Sequence, residues 1–347
     1  MIEEKKTDEA IVLLQQGLQQ NPGWEGGLWR LGSLSYESGR YLVARKALEK
    51  LVELVPGSGA PWALLGMCEF ETRNYGRALQ HLQRGLSLGI PPALDLVGPA
   101  YHNQAMALLA TGNFDRAVTI LKGLTRKQKI EAEEWPLTMG LAILRVPLLP
   151  DVAARLLPPE RLGVYRRVGE LQIALVRHEK RDARGEWQAL VDSHPEFPGL
   201  HTAFGKLLLE MADSERAESE FRTALKSNPT DAIAQLGLAY TLMERDEHAE
   251  AEVLSKQVLQ IDPQSANAHH LLGTLFFRQG RYDEARQELE SSRDIDPFLS
   301  RVHYTLSQVY LKLQRPQDAA REEVIYRKLK DAEDLFRETG RLPAPAY

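Results

Sequence analysis

The sequence holds one cysteine, Cys68, so no disulfide can close within the chain, and a lone cysteine does not fix the redox compartment. No apolar run reaches the ~18 residues that a membrane-spanning helix needs. The charged opening, Met1–Glu9, lacks the apolar stretch of a secretory signal. That favours the cytoplasm, while a periplasmic or secreted location would require a leader ahead of Met1. Cations are not in excess: 43 Lys and Arg face 48 Asp and Glu, a net charge of −5. A duplex-binding protein concentrates positive charge, so this balance argues against a nucleic-acid partner. There is no phosphate loop, no dinucleotide fingerprint, no Gly-x-Ser-x-Gly and no His-Glu-x-x-His. The carboxylates fall on helix faces and caps, and none forms a defensible acid and base pair.

What the sequence does have is a ruler. Pro195, Pro229, Pro263 and Pro297 stand 34 residues apart, and Pro22 and Pro56 show the same interval. Proline cannot continue a helix and pushes the preceding residue out of helical geometry, so each marks a helix end. Alanines keep the same count: Ala10, Ala44 and Ala78, then Ala183, Ala217, Ala251, Ala285 and Ala319. Ala117 rejoins the series after a five-residue slip at Gly89-Ile90-Pro91-Pro92. Turn sequences precede most of these alanines, as in Gly39-Arg40-Tyr41 and Gly280-Arg281-Tyr282-Asp283. Glycine ends one helix and a polar residue opens the next. Each alanine is then expected to face its partner helix, where only a small side chain fits. The helix before each turn repeats Trp62-x-x-Leu65-Gly66, His201-x-x-Phe204-Gly205 and His269-x-x-Leu272-Gly273. Its glycine weakens the helix and is expected to let a neighbour approach closely.

This pattern resembles the tetratricopeptide repeat, best over residues 266–299 through His269, Leu272, Gly273, Tyr282, Ala285, Leu289 and Pro297. The resemblance extends over roughly nine tenths of the chain. It implies an all-α fold, an α-solenoid whose helix-turn-helix hairpins stack into a right-handed superhelix. It also implies a scaffold or adaptor that binds a peptide or partner protein, with no catalysis, cofactor or metal.

The domains expected are an N-terminal array over 1–124, a divergent proline-rich repeat over 125–163, a C-terminal array over 164–340 and a tail over 341–347. In the divergent stretch, Trp135 and Met139-Gly140 suggest a worn first helix and Asp151–Ala154 a short second one. Residues 7–20 match a second helix with no first helix before it. From this comes the alternative role of a recognition arm of a larger enzyme or regulator whose other domain lies outside this chain. A charged helix from Pro316 to Thr339, capped by Gly340, is expected to solvate the C-terminal end. End hairpins could also stack on one another and give self-association.

Histidine and cysteine invite metal or nucleophile chemistry. His201, His269 and His303 hold one repeat position, on hairpins ~8–10 Å or more apart, which is too far for a shared zinc ion. Packing is the simpler role for them, and a core position for Cys68. Two basic stretches, Lys122–Lys129 and Arg177–Arg184, lie among acids and are expected to be solvated faces.

The resemblance places a binding groove on the first helix of each hairpin. In the N-terminal half it carries over to Trp29 and Tyr36, then Met67 and Phe70, then His102 and Met106, an apolar and aromatic face. In the C-terminal half it carries over to Lys206, to Tyr240 and Met243, to Asn267, His270 and Phe277, and to Arg301, Tyr304 and Gln308. That half mixes aromatic rings with hydrogen-bonding groups. Lys206, Asn267 and Arg301 do not reproduce the arrangement with which some members clamp a terminal carboxylate.

Overall fold

A computed structural model describes residues 2–127, 134–179 and 182–339. The chain divides into two compact units, Met1–Lys180 and Arg181–Glu338. The first holds α1 (Ile2–Gln20), α2 (Glu25–Glu37), α3 (Tyr41–Leu54), α4 (Gly59–Glu71), α5 (Tyr75–Leu88), α6 (Val97–Ala110), α7 (Phe114–Lys127), α8 (Glu134–Ile143), α9 (Pro150–Leu156) and α10 (Pro159–Val176). The second begins with α11 (Ala183–Ser193), α12 (Leu200–Glu210), α13 (Ser214–Ser227), α14 (Ala232–Glu244) and α15 (His248–Ile261). It continues with α16 (Ala266–Arg278), α17 (Tyr282–Ile295), α18 (Ser300–Lys312) and α19 (Pro316–Thr339). Gly340, the expected cap, and the tail after it lie outside the described residues, as do Gln128 and Lys129 of the first basic stretch.

The helices pair as the rulers predict. Within the units α2 packs on α3, α4 on α5, α6 on α7, α12 on α13, α14 on α15 and α16 on α17. The ruler alanines Ala44, Ala78, Ala117, Ala217, Ala251 and Ala285 have no exposed surface. Opposite them, a Cβ on Gly66 would lie 2.7 Å from the Leu82 nitrogen and 3.0 Å from the Ala78 carbonyl oxygen. A Cβ on Gly273 would lie 2.5 Å from Leu289 Cγ and 3.1 Å from the Ala285 carbonyl oxygen. Small residues on both helices therefore set the hairpin spacing, and the apolar side chains around them close the core.

Each first helix ends the same way. Two residues past its last helical position the chain turns left-handed, at Gly39, Arg73, Gly112, Arg145, His178, Ala212, Asp246, Gly280 and Gln314, with φ between 52° and 79°. The next N–H reaches back to a carbonyl five residues earlier, as from Asp213 to Leu208 at 2.9 Å and from Arg315 to Tyr310 at 2.8 Å. That bond satisfies a helix-end carbonyl which would otherwise lack a partner. Only three of the nine positions are glycine, so the other six hold a conformation that costs an L-residue free energy.

The worn stretch departs from the pairing expected of it. α9 is only seven residues long, and the main partner of α8 is α10. The approach is very close: a Cβ on Gly140 would lie 1.7 Å from the Tyr165 carbonyl oxygen, and one on Gly169 would lie 1.8 Å from that of Pro136. Prolines at 147, 150, 158 and 159 prevent a full-length second helix, and α10 fills the place beside α8.

Gly140→Ala is expected to lower stability by about 1–3 kcal/mol, because backbone rather than a movable side chain blocks the methyl. Gly57→Ala, with open space around it, should leave the denaturation midpoint nearly unchanged. Ala212, at φ 59°, gives the opposite test. Ala212→Gly should raise stability by about 0.5–1 kcal/mol in urea titration, since relief of left-handed strain exceeds the added chain entropy.

Candidate functional site

Trp62, His201, Gln235, His269 and His303 hold one repeat position and do one job there. Trp62 Nε1 donates to the Pro56 carbonyl at 3.0 Å, and Gln235 Nε2 donates to that of Pro229 at 2.9 Å. The Nε2 atoms of His201, His269 and His303 do the same to Pro195, Pro263 and Pro297 at 3.0, 3.2 and 2.9 Å. The acceptor is always six residues earlier, so the proline turn and the first helix are tied by one bond. The other ring nitrogen of each histidine faces a carboxylate nineteen residues later: Glu220 at 2.6 Å, Glu288 at 2.6 Å and Glu322 at 2.5 Å. Both ring nitrogens of each histidine are thus engaged within its own hairpin. Among the described residues no group of three or more His, Cys, Asp or Glu could hold a metal ion.

Cys68 is fully buried, and burial pushes its thiol up to about 12, far from the value of a reactive nucleophile. No described helix is long and apolar enough to cross a membrane.

The two units treat their first-helix residues differently. In the first unit Met67 and Met106 are 3% and 8% exposed and belong to the core. Trp29, Tyr36 and Phe70 are half-buried against that core. Tyr36 meets Tyr41 and Phe70 meets Tyr75, with ring centroids 5.6 Å apart in both cases, so each ring staples its own hairpin. His102 is exposed but stacks on Trp135 at 5.7 Å. The expected apolar groove of this half is thus largely filled by packing. α4 is the clearest case: ten of its thirteen residues are buried.

In the second unit more of these positions are accessible. Lys206, Tyr240, Asn267, Arg301 and Tyr304 are exposed on α12, α14, α16 and α18, the two tyrosines by nearly half. Arg301 donates to the Asn267 amide oxygen on the neighbouring hairpin, and Tyr304 packs on Tyr326 of α19 at 5.2 Å. Leu311, one helix turn past half-buried Gln308, is 54% exposed. His270 lies beneath this row; burial and then Arg301 lower its pKa to about 3, so it is neutral. Met243, 2% exposed, is a core residue, and half-buried Phe277 staples its hairpin to Tyr282 at 5.9 Å.

The second helices are different again. Arg222 bonds Glu218 on its own helix and Glu250 on the next hairpin. Arg245 reaches Glu218, Arg281 reaches Glu252, and Arg293 reaches Glu322. Charges there are joined from hairpin to hairpin.

A row of paired helices, closed by left-handed turns and small-residue contacts at a 34-residue interval, defines a helical-hairpin repeat protein. Tetratricopeptide-repeat family models match residues 30–92, 98–122, 208–275 and 242–304, together more than half of the chain. The chain belongs to the tetratricopeptide-repeat family, whose members generally mediate protein–protein interactions. No curated relative matches it. Among solved structures it is similar to MamA 41-end from Desulfovibrio magneticus RS-1, at 19% identity over 51% of this chain and 98% of that one, TM-score 0.42. It is also similar to the crystal structure of APC/C hetero-tetramer Cut9-Hcn1, at 16% identity over 95% of this chain and 77% of that one, TM-score 0.40. These likenesses concern fold alone.

The His303–Glu322 pair gives a test by pH. Burial pushes the Glu322 carboxyl up, but its bonds from His303 and Arg293 outweigh that and hold it below the usual range. A lowered carboxyl stabilises the fold above its unfolded value of ~4.3, and that contribution disappears as pH falls through the folded value. Glu322→Gln should therefore lower stability at pH 7, and the difference from the parent should shrink in urea titrations taken from pH 5 toward pH 3. A difference that stays constant across that range would contradict the assignment.

Proposed function

We propose that this chain is a non-catalytic holding protein that takes an extended segment of a partner along the first-helix face of its second unit. The supporting observation is the row of exposed Tyr240, Tyr304, Asn267, Arg301 and Lys206 on α12–α18, where the same positions of the first unit are largely packed. Exposed tyrosine and arginine are the residue types that anchor interfaces most often. Amide, guanidinium and hydroxyl groups between them suit the backbone of an extended segment, which carries its own donors and acceptors. Carboxylates of the second helices are engaged by arginines of neighbouring hairpins, and among the described residues that face presents no comparable row of exposed tyrosines, which makes it the weaker candidate.

Tyr240→Ala combined with Tyr304→Ala tests this reading. Both rings are about half exposed, so the double variant should keep its helical circular dichroism and its denaturation midpoint. Affinity capture from source extract should then recover at least tenfold less of the principal partner, roughly 1.4 kcal/mol or more. Unchanged recovery by a folded double variant would sink the assignment.

A further inference from the structure

The second unit separates its charge by helix type. Its first helices, α12, α14, α16 and α18, carry four cations (Lys206, Arg278, Arg301 and Lys312) against two carboxylates, Glu210 and Glu244. One of those carboxylates, Glu244, is bonded to Arg278 at 2.6 Å. The second helices α11, α13, α15 and α17 carry seven cations against twelve carboxylates. The chain as a whole is acidic, at −5. The first helices are therefore the basic ones of an otherwise acidic unit, with the Asp231 carboxylate at the start of α14, which accepts from Thr202 of α12, as the nearest added acid.

Two further features fix the character of that surface. Arg301 is exposed and held by the Asn267 amide oxygen, so its guanidinium is positioned beside the Tyr304 helix face rather than swinging freely. His270, the one histidine beneath the row, is neutral, so the positive balance does not depend on its protonation near neutral pH.

We infer that the segment held on this face is acidic, an extended stretch whose Asp or Glu side chains, rather than a chain end, lie along Arg301, Lys206 and Lys312 while its backbone follows the tyrosines. This rests on the first-helix reading above and adds the chemistry of the partner. A basic segment would place its cations against Arg301 and Lys206 and meet repulsion, and a neutral one would leave them without a counter-charge. An acidic one also gains in encounter rate, because opposite charges steer association within the ~8–10 Å over which salt leaves them unscreened.

The test uses the full chain and a display library of random twelve-residue peptides, presented internally so that no free carboxyl end is available. Binders should be enriched in Asp and Glu over the input pool. An amidated peptide from that set should bind at least about tenfold more weakly to Arg301→Glu, and more weakly again to Arg301→Glu with Lys206→Glu. Arg301→Gln should give an intermediate loss, and affinity should fall as salt rises. Binders that are lost with Tyr240→Ala and Tyr304→Ala, yet are neutral or basic and indifferent to Arg301→Glu, would overturn the acidic assignment and leave the face itself standing. Binders indifferent to the tyrosines would overturn the face, and the acidic assignment with it.

Discussion

The close approach of the two helices inside a hairpin, tightest where small residues meet, is the constraint on which the rest depends. Where Gly66 meets Ala78, or Gly273 meets Ala285, there is no room for a methyl group. That contact fixes the distance between the two helices and hence the rotation at which each presents its other faces. A hairpin built this way cannot bury its apolar surface alone, so hairpins must stack. The left-handed turn, the proline carbonyl bonds and the exposed face are all positioned by that spacing. Six of the nine turns are left-handed without glycine, which shows how strongly packing overrides local preference.

Much of this was legible in the sequence because it is periodic. Ala78, Ala217, Ala251 and Ala285 were expected against a partner helix and are fully buried there. The glycine after Leu65 and Leu272 was expected to permit close approach, and it does. The pairing of α8 with α10 was not legible. It depends on Gly140 and Gly169, which look like ordinary helix glycines until the missing length of α9 leaves α8 without a partner. The bonds to the proline carbonyls also have a sequence signal, though one that no single repeat reveals: a donor six residues after proline, and for the histidines a glutamate nineteen further on, at His201 and Glu220, His269 and Glu288, His303 and Glu322.

The candidate face was legible only as a set of positions. Met67, Met106 and Met243 occupy groove positions of the motif and are buried, whereas Tyr240 and Tyr304 occupy others and are nearly half exposed. Motif position does not separate these outcomes, because burial depends on how neighbouring hairpins close over one another. One clue was available: the run from Gly59 to Cys68 is apolar on every side of its helix, and such a helix must be surrounded. Charge completes the contrast between faces. Ion pairs on the second helices contribute little individually, ~0.2–1 kcal/mol each, but they leave the basic, tyrosine-bearing face as the distinctive surface of the second unit.

Hydroxyl-radical footprinting of the chain alone and with its captured partner tests the central claim most directly. Tyr240 and Tyr304 should lose most of their side-chain oxidation in the complex, while Val253 and Ile261, more than half exposed on second helix α15, should be oxidised as before. Protection of Val253 and Ile261 with both tyrosines still oxidised would contradict the account.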